Sequence, residues 1–321
     1  MRKFVGKIIL LALIAAACFF AAAAAECALA GSQYGGNYQA SINDKTERLL
    51  ALDSPKIILV GNSNLPFGMD SKLLEEQTGL PVVNLGLHGG LGNAFHEDLA
   101  KINIGEGDLV IICHTDFDDD IIPSPSLAWI TIDDHWKYWK ILRIKDYPRM
   151  MAAYPNYIRK SLYLWITKTG NKDEGDSYAR SAFNEYGDVV NKPSEDQMEW
   201  EKYFSDTELH PVEVPDISRA CVKRMNRFAE YVRKRGATPV VAAYPIAYGK
   251  YSSFSKEDFE AFAEKLSEEL DCDVISDYTD YFYPYEYFYD TNLHLTEEGA
   301  RIRTQQLISD IIKWKQNQQE D

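Results

Sequence analysis

Four short stretches hold the side chains that could do chemistry. Gly61-Asn62-Ser63-Asn64 follows the apolar run of residues 56–60 (KIILV), and Leu87-His88-Gly89-Gly90 closes a second run that begins at residue 81. His114-Thr115-Asp116 follows a third run, residues 108–113 (DLVIIC), and Asp290-Thr291-Asn292-Leu293-His294 precedes the last helical stretch. A serine, a glycine turn and an Asp/His pair are what acyl transfer through a serine requires: a nucleophile, N–H donors for the developing oxyanion, a base, and an acid that orients it. Ser63 is not in a G-x-S-x-G elbow, since Leu65 occupies the second Gly position, so an α/β-hydrolase reading is weak.

These residues must be brought to one place by the elements around them. Short apolar runs bounded by turn residues read as buried strands, and the stretches between them are helical in pattern. A helix is predicted over residues 70–78 with Gly79 as its stop, and a second places Phe95, Leu99 and Ile102 on one face. Such alternation implies βαβ crossovers and a parallel sheet covered on both faces. In such sheets ligands bind beyond the carboxyl ends of the strands, where all four stretches fall. The alternation breaks at Asp118 and resumes near Asp216. Residues 118–215 are read as an insertion, with helices around 134–144 and 147–168 and a polar, loop-like stretch over 169–215. After it come a helix with Ile217, Cys221, Met225, Phe228 and Val232 on one stripe, and a strand over 238–243. A helix started by Ser255 with Asp258, a short strand over 273–276 and a last helix over 296–315 complete the chain. The expected fold is a three-layer α/β/α sandwich with a parallel sheet of about five strands.

Composition narrows the partners. Of 321 residues, 45% are hydrophobic, which excludes a disordered chain. The 34 Lys and Arg against 49 Asp and Glu give a net charge of −15, which argues against nucleic acid and equally against a protein held electrostatically on anionic lipids. Cys113, Cys221 and Cys272 are far apart and sit in apolar segments, as small buried hydrophobes do, and have no metal-binding spacing. His114 and Asp116 with Asp118, Asp119 and Asp120 read as a solvated acidic turn, since a calcium loop would need a glycine and a distal glutamate. Eight of the twelve residues 278–289 are aromatic. They are expected partly to hold the loop before Asp290 and partly to shape an entrance.

Arg2, Lys3 and Lys7 precede an apolar run from Ile8 to Ala25, and small residues end in Ala28-Leu29-Ala30. Residues 1–30 therefore read as an export signal, either cleaved or retained as a membrane anchor through residues 8–25, with residues 31–321 outside the cytoplasm in both cases. Removing them takes away three positive charges and one negative charge, so the remaining chain is more acidic still.

GNSN, NLGLHGG and DTNLHLTEEGA, in that order, resemble the conserved blocks of the SGNH/GDSL hydrolases over residues 56–117 and 216–316. The resemblance is nearest to exported bacterial members similar to the DltD and alginate O-acetylation proteins. It implies a flavodoxin-like topology, with Ser63 as nucleophile and one oxyanion N–H, His294 as base, Asp290 as the acid behind it, and Gly89 as a second oxyanion donor. Asn64, Thr115 and Asp116 fall on oxyanion or substrate-binding positions, and no metal or cofactor is implied. The implied activity is an extracytoplasmic serine esterase or O-acyltransferase on an acylated envelope polymer or a small ester, with a membrane acyltransferase as a possible partner. The other implied role is a catalytically weak binding or accessory protein for the same glycan or acyltransferase.

The chain departs from the family pattern twice. The acid usually lies three residues before the histidine, whereas Asp290 lies four before and Thr291 holds the usual place. In the third block Asp116 stands where the family has an Asn that completes the oxyanion hole. Either Asp116 is protonated, or Thr115 substitutes, or the hole has two donors.

Overall fold

The structure, a computed structural model, describes residues 2–29, 32–117, 121–133, 135–172, 175–190, 192, 199, 213–249 and 252–320. In chain order the strands are β1 (Ile57–Gly61), β2 (Val82–Asn84), β3 (Leu109–Cys113), β4 (Thr238–Val241), β5 (Ile246–Ala247), β6 (Asp273–Val274) and β7 (Phe282–Tyr283). The helices are α1 (Arg2–Leu29), α2 (Ser41–Ala51), α3 (Ser71–Thr78), α4 (Asn93–Ala100) and α5 (Pro125–Ile132). After these come α6 (Tyr147–Thr167), α7 (Arg219–Arg233), α8 (Lys256–Glu269) and α9 (Glu297–Glu320).

The central sheet has the order β2-β1-β3-β4-β6, and every pairing in it is parallel. All residues of β1 and β3 are buried, as strands covered on both faces must be. Ile57 and Leu59 face one layer, with Leu74 of α3 and Leu307, Ile308 and Ile311 of α9. Ile58 and Val60 face the other, with Leu49 of α2, Phe95 and Leu99 of α4, and Met225 and Phe228 of α7. The molecule is thus an α/β/α sandwich with a five-stranded parallel sheet.

β1 has β2 on one side and β3 on the other, so the chain changes direction across the sheet at the carboxyl end of β1. That switch point opens a crevice where loops diverge, and Ser63 lies in the first turn beyond it.

Several predicted elements appear with altered bounds. Asp70 caps α3 through Leu73 N–H, and Ser255 with Asp258 forms a reciprocal capping box on α8. The last helix runs to Glu320, and the strand predicted over 273–276 is only two residues long. Helix α2 was not expected in the polar stretch 31–54, because only Ile42 and Leu49 of its inner face are apolar and Lys45 and Thr46 are buried beside them. Within the insertion, α6 matches the predicted helix, residues 136–141 are 3₁₀, and α5 was unforeseen. The proposed acidic turn at Asp118, Asp119 and Asp120, and most of residues 191–212, lie outside the described residues.

Candidate active site

Ser63 is carried by a turn that can form only because its neighbours let backbones approach. A Cβ at Gly61 would stand 2.6 Å from Cys113 O, and one at Gly86 would stand 2.8 Å from Asn62 O and 2.3 Å from Pro66 Cδ. The absence of side chains there lets the carboxyl ends of β1, β2 and β3 converge.

The turn is then pinned from beneath. Asn64, expected among the substrate-binding residues, is fully buried: its Nδ2 donates to Asn62 Oδ1 at 2.8 Å and to Cys113 O at 3.0 Å. Arg303 of α9, 1% exposed, donates to Asn64 O at 2.7 Å and to Asn64 Oδ1 at 2.8 Å. The side chain of Asn64 therefore faces the protein and fixes the shape of the turn, a correction that follows from satisfying a buried amide with internal partners.

His294 Nε2 lies 2.9 Å from Ser63 Oγ, and its Nδ1 lies 2.7 Å from Asp290 Oδ1. A carboxylate on Nδ1 keeps the proton there, so Nε2 is left to accept the Ser63 hydroxyl proton. The four-residue spacing is accommodated by a turn in which Thr291 Oγ1 accepts from Leu293 N–H at 3.2 Å and His294 N–H at 3.1 Å. Thr291, in the acid's usual place, thus shapes the loop while Asp290 reaches round to the imidazole. Tyr289 N–H closes the loop by donating to His294 O at 2.7 Å.

Two residues that the sequence did not single out complete this arrangement. Tyr178, from the insertion, donates its hydroxyl to Asp290 Oδ2 and lies 3.3 Å from His294 Nδ1. Phe67 stacks on the His294 ring with centroids 4.0 Å apart and planes within 8°. Phe67 is itself held among Tyr38, Tyr178 and Tyr289. Burial opposes ionisation of Asp290, but the hydrogen bonds from His294 and Tyr178 and the His294 charge outweigh it, so its carboxyl sits below the usual carboxylate range. Burial, followed by the Asp290 carboxylate, pushes the Tyr178 phenol far up, so it stays a donor.

Three donors border Asn62, the residue before Ser63, or follow it directly. Among the described residues the backbone N–H groups of Ser63 and Gly89 have no acceptor. The Asn62 amide lies against Gly89 and donates Nδ2–H to Thr115 Oγ1 at 2.5 Å. Because Thr115 Oγ1 is occupied as an acceptor, its own hydrogen is free to donate. Asp116 is exposed, and the contacts of its carboxylate run to the first residue of α4: Asn93 Nδ2 donates to Asp116 Oδ1 at 3.1 Å and to Asp116 O at 2.8 Å. The expectation that Asp116 contributes to the hole is not matched by any hydrogen bond to the Ser63 turn. A carboxylate finds a better place at a helix start, where N–H groups and the dipole favour negative charge.

His88 caps the 3₁₀ turn at Gly89 by accepting from Gly90 N–H at Nδ1, 2.9 Å away, which leaves Nε2–H as its outward donor. Burial first, and the His294 charge second, lower its pKa. Beneath Thr115 lies a buried ionic cluster. Glu97 Oε1 accepts from Arg224 Nε at 3.0 Å and from His114 Nε2 at 3.1 Å, all three being at most 1% exposed. Burial raises the Glu97 pKa, but Arg224 and His114 outweigh it and hold it at about 2.

The aromatic run before Asp290 is mostly structural. Tyr278, Tyr281, Tyr283, Phe288 and Tyr289 are buried, while Phe282 packs on Tyr248 and Phe254. Tyr289 OH pairs with Ser177 Oγ at 2.8 Å, a second tie between the histidine loop and the insertion. Among the described residues no group of three His, Cys, Asp or Glu is placed to hold a metal ion. No protein-family model matches the chain, and no curated protein matches it.

Proposed function

We propose that the chain is a serine-dependent esterase or O-acyltransferase that acts outside the cytoplasmic membrane on acyl esters of a cell-envelope polymer. The observation that carries this reading is the continuous hydrogen-bonded series Ser63–His294–Asp290 at the switch point of a parallel sheet. The envelope and the polymer rest on the family resemblance and on the N-terminal apolar helix, which is long and apolar enough to cross a membrane.

In this mechanism Ser63 Oγ attacks the acyl carbonyl carbon while its proton passes to His294 Nε2. The carbonyl π electrons move to oxygen, and the resulting oxyanion is met by the N–H groups of Ser63 and Gly89 and by the Thr115 hydroxyl. The tetrahedral centre collapses, the C–O bond to the polymer breaks, and the proton on His294 goes to the departing hydroxyl. Water or an acceptor hydroxyl then repeats the steps on the Ser63 ester, giving hydrolysis or transfer. Asp290 stays ionised throughout and stabilises the imidazolium.

The test is labelling of the full-length chain with a fluorophosphonate, together with turnover of aryl acetates. Labelling of the native chain and its loss in Ser63→Ala and His294→Ala, with both variants folded, is the expected result. A native chain that is folded yet neither labels nor turns over esters would favour the accessory-protein role, and labelling that survives in Ser63→Ala would remove Ser63 as nucleophile.

A further inference from the structure

Net charge taken over the whole chain conceals its distribution. Residues 135–172 carry nine Lys and Arg and one acidic residue, Asp146, in a protein of net charge −15. From Tyr147 to Lys172 there is no Asp or Glu at all. Asp146 is buried and accepts from Ile122 N–H, and Arg143 is paired with Asp98, so the charge of the face is that of residues 147–172: Arg149, Arg159, Lys160, Lys168 and Lys172.

The same segment exposes apolar and aromatic side chains. Ile144 is 84% exposed, Ile166 71%, Tyr163 64% and Trp165 44%. Tyr163, Trp165 and Ile166 of α6 are flanked in sequence by Arg159 and Lys160 on one side and by Lys168 and Lys172 on the other, all exposed. Trp and Tyr among apolar residues and basic side chains are the composition of a helix lying at a lipid–water boundary. Isolated exposed apolar residues need no explanation, but a basic aromatic face on an acidic protein does.

A second observation fixes the place of this face. Helix α1 has a 20-residue apolar span, Lys3–Ala22, none of it buried in the protein, and that length matches a bilayer core of about 30 Å. Phe19, close to the end of the span, packs on Tyr154 of α6 with ring centroids 4.5 Å apart. A retained α1 that crosses a bilayer therefore holds α6 at the level where the span leaves the hydrocarbon.

We propose that α6 and the turn after it, residues 147–172, form a membrane-surface face that lies on anionic phospholipid beside the emerging α1. The partner is a bilayer, because the basic groups flank exposed apolar and aromatic ones and the face adjoins the spanning helix; a soluble polyanion would need only the charge. Tyr178, eleven residues after the end of α6, is bonded to Asp290. The proposal does not depend on the catalytic reading.

The experiment uses the full chain reconstituted in nanodiscs, with phospholipids brominated near the top of their acyl chains as contact quenchers of Trp. The emission due to Trp165 is the difference between the native chain and Trp165→Phe. It should be quenched more strongly in brominated phosphatidylglycerol discs than in brominated phosphatidylcholine discs. A folded Arg159→Glu/Lys160→Glu/Lys168→Glu/Lys172→Glu variant, confirmed by circular dichroism, should lose the quenching. Absence of quenching in phosphatidylglycerol, equal quenching in both lipids, or quenching that survives charge reversal would each overturn the proposal. So would a Trp165 signal that is shifted by soluble polyphosphate and left unchanged by lipid, since the occupant would then be an anionic polymer.

Discussion

Tyr178 donates its hydroxyl to Asp290 Oδ2, the carboxylate oxygen that His294 leaves unused. The insertion thereby reaches the acid of the candidate triad, and the carboxylate is held from both sides. A charge-assisted hydrogen bond contributes about 1.5–3 kcal/mol. In Tyr178→Phe the Asp290 carboxyl should move back up towards its ordinary range. Its folded-state pKa is depressed, so the ionised form is lost as pH falls, and in the variant that loss begins at a higher pH. The acid limb of the kcat/KM profile for an aryl acetate should shift upward, with kcat reduced about tenfold at neutral pH if part of that energy is realised in the transition state. An unchanged profile would mean that the bond only holds the loop.

The acid itself should be separable from the residue beside it. Asp290→Asn removes the group that holds the proton on Nδ1 and is expected to lower kcat by about 10⁴, as the loss of a triad acid does. Thr291→Ala removes only the acceptor for two backbone N–H groups. Its effect should stay within about tenfold. Near-equal losses in steady-state ester hydrolysis would argue that Thr291 has more than a turn to shape.

Thr115 and Asp116 are adjacent in sequence and opposite in expected behaviour. Thr115→Val deletes a proposed oxyanion donor and should cost about 10² in kcat with little change in KM. Asp116→Asn retains the pairing with Asn93 and should leave turnover within about threefold, as exposed substitutions usually do. A fall of several hundredfold in the second variant would give Asp116 a direct part in the reaction.

Phe67 is fully buried against the His294 ring. Phe67→Ala should cost about 3–5 kcal/mol, read as a lowered Tm or a lowered urea midpoint. Phe67→Leu keeps most of the volume and loses the flat face. It should remain close to native in stability while kcat falls, and a variant with both values unchanged would show that the ring plane needs no support.

Glu97 ties β3, α4 and α7 together. Arg224→Met leaves a buried carboxylate without its main partner and should destabilise by about 3–5 kcal/mol. The Glu97 pKa is held at about 2 in the fold against an ordinary value of 4.5. Its contribution is therefore fully present above pH 4.5 and is lost as pH falls towards 2. Urea unfolding of the native chain between pH 7 and pH 3 should show that decline, and Arg224→Met should have lost much of it.

Most of the sheet was legible because its strands are covered on both faces. Residues 57–61 and 109–113 are continuous apolar runs ended by polar turns, which is the pattern a central parallel strand writes into a sequence. Ser63, Gly89, Asp290 and His294 could be read from the same pattern, because in a parallel sheet each falls beyond a strand or before a helix that returns to the same edge. Helix α2 was not legible, since its inner face uses Lys45 and Thr46, whose burial depends on partners elsewhere: Lys45 donates to Asn84 O and to Gly187 O.

The order of the motifs along the chain, the alternation of strands and helices, and the net acidity were determined by the sequence alone, because each is local or additive. Only the tertiary structure decided that Asn64 faces inward, that Thr115 and not Asp116 is hydrogen-bonded to the Asn62 amide beside Gly89, and that Tyr178 meets Asp290 across 112 positions. Contacts of that kind depend on how loops from separate strands are packed side by side, and residue type and spacing carry no record of it. The same holds for charge: the basic run of residues 147–172 is written in the sequence, but its place beside α1 exists only once the chain is folded.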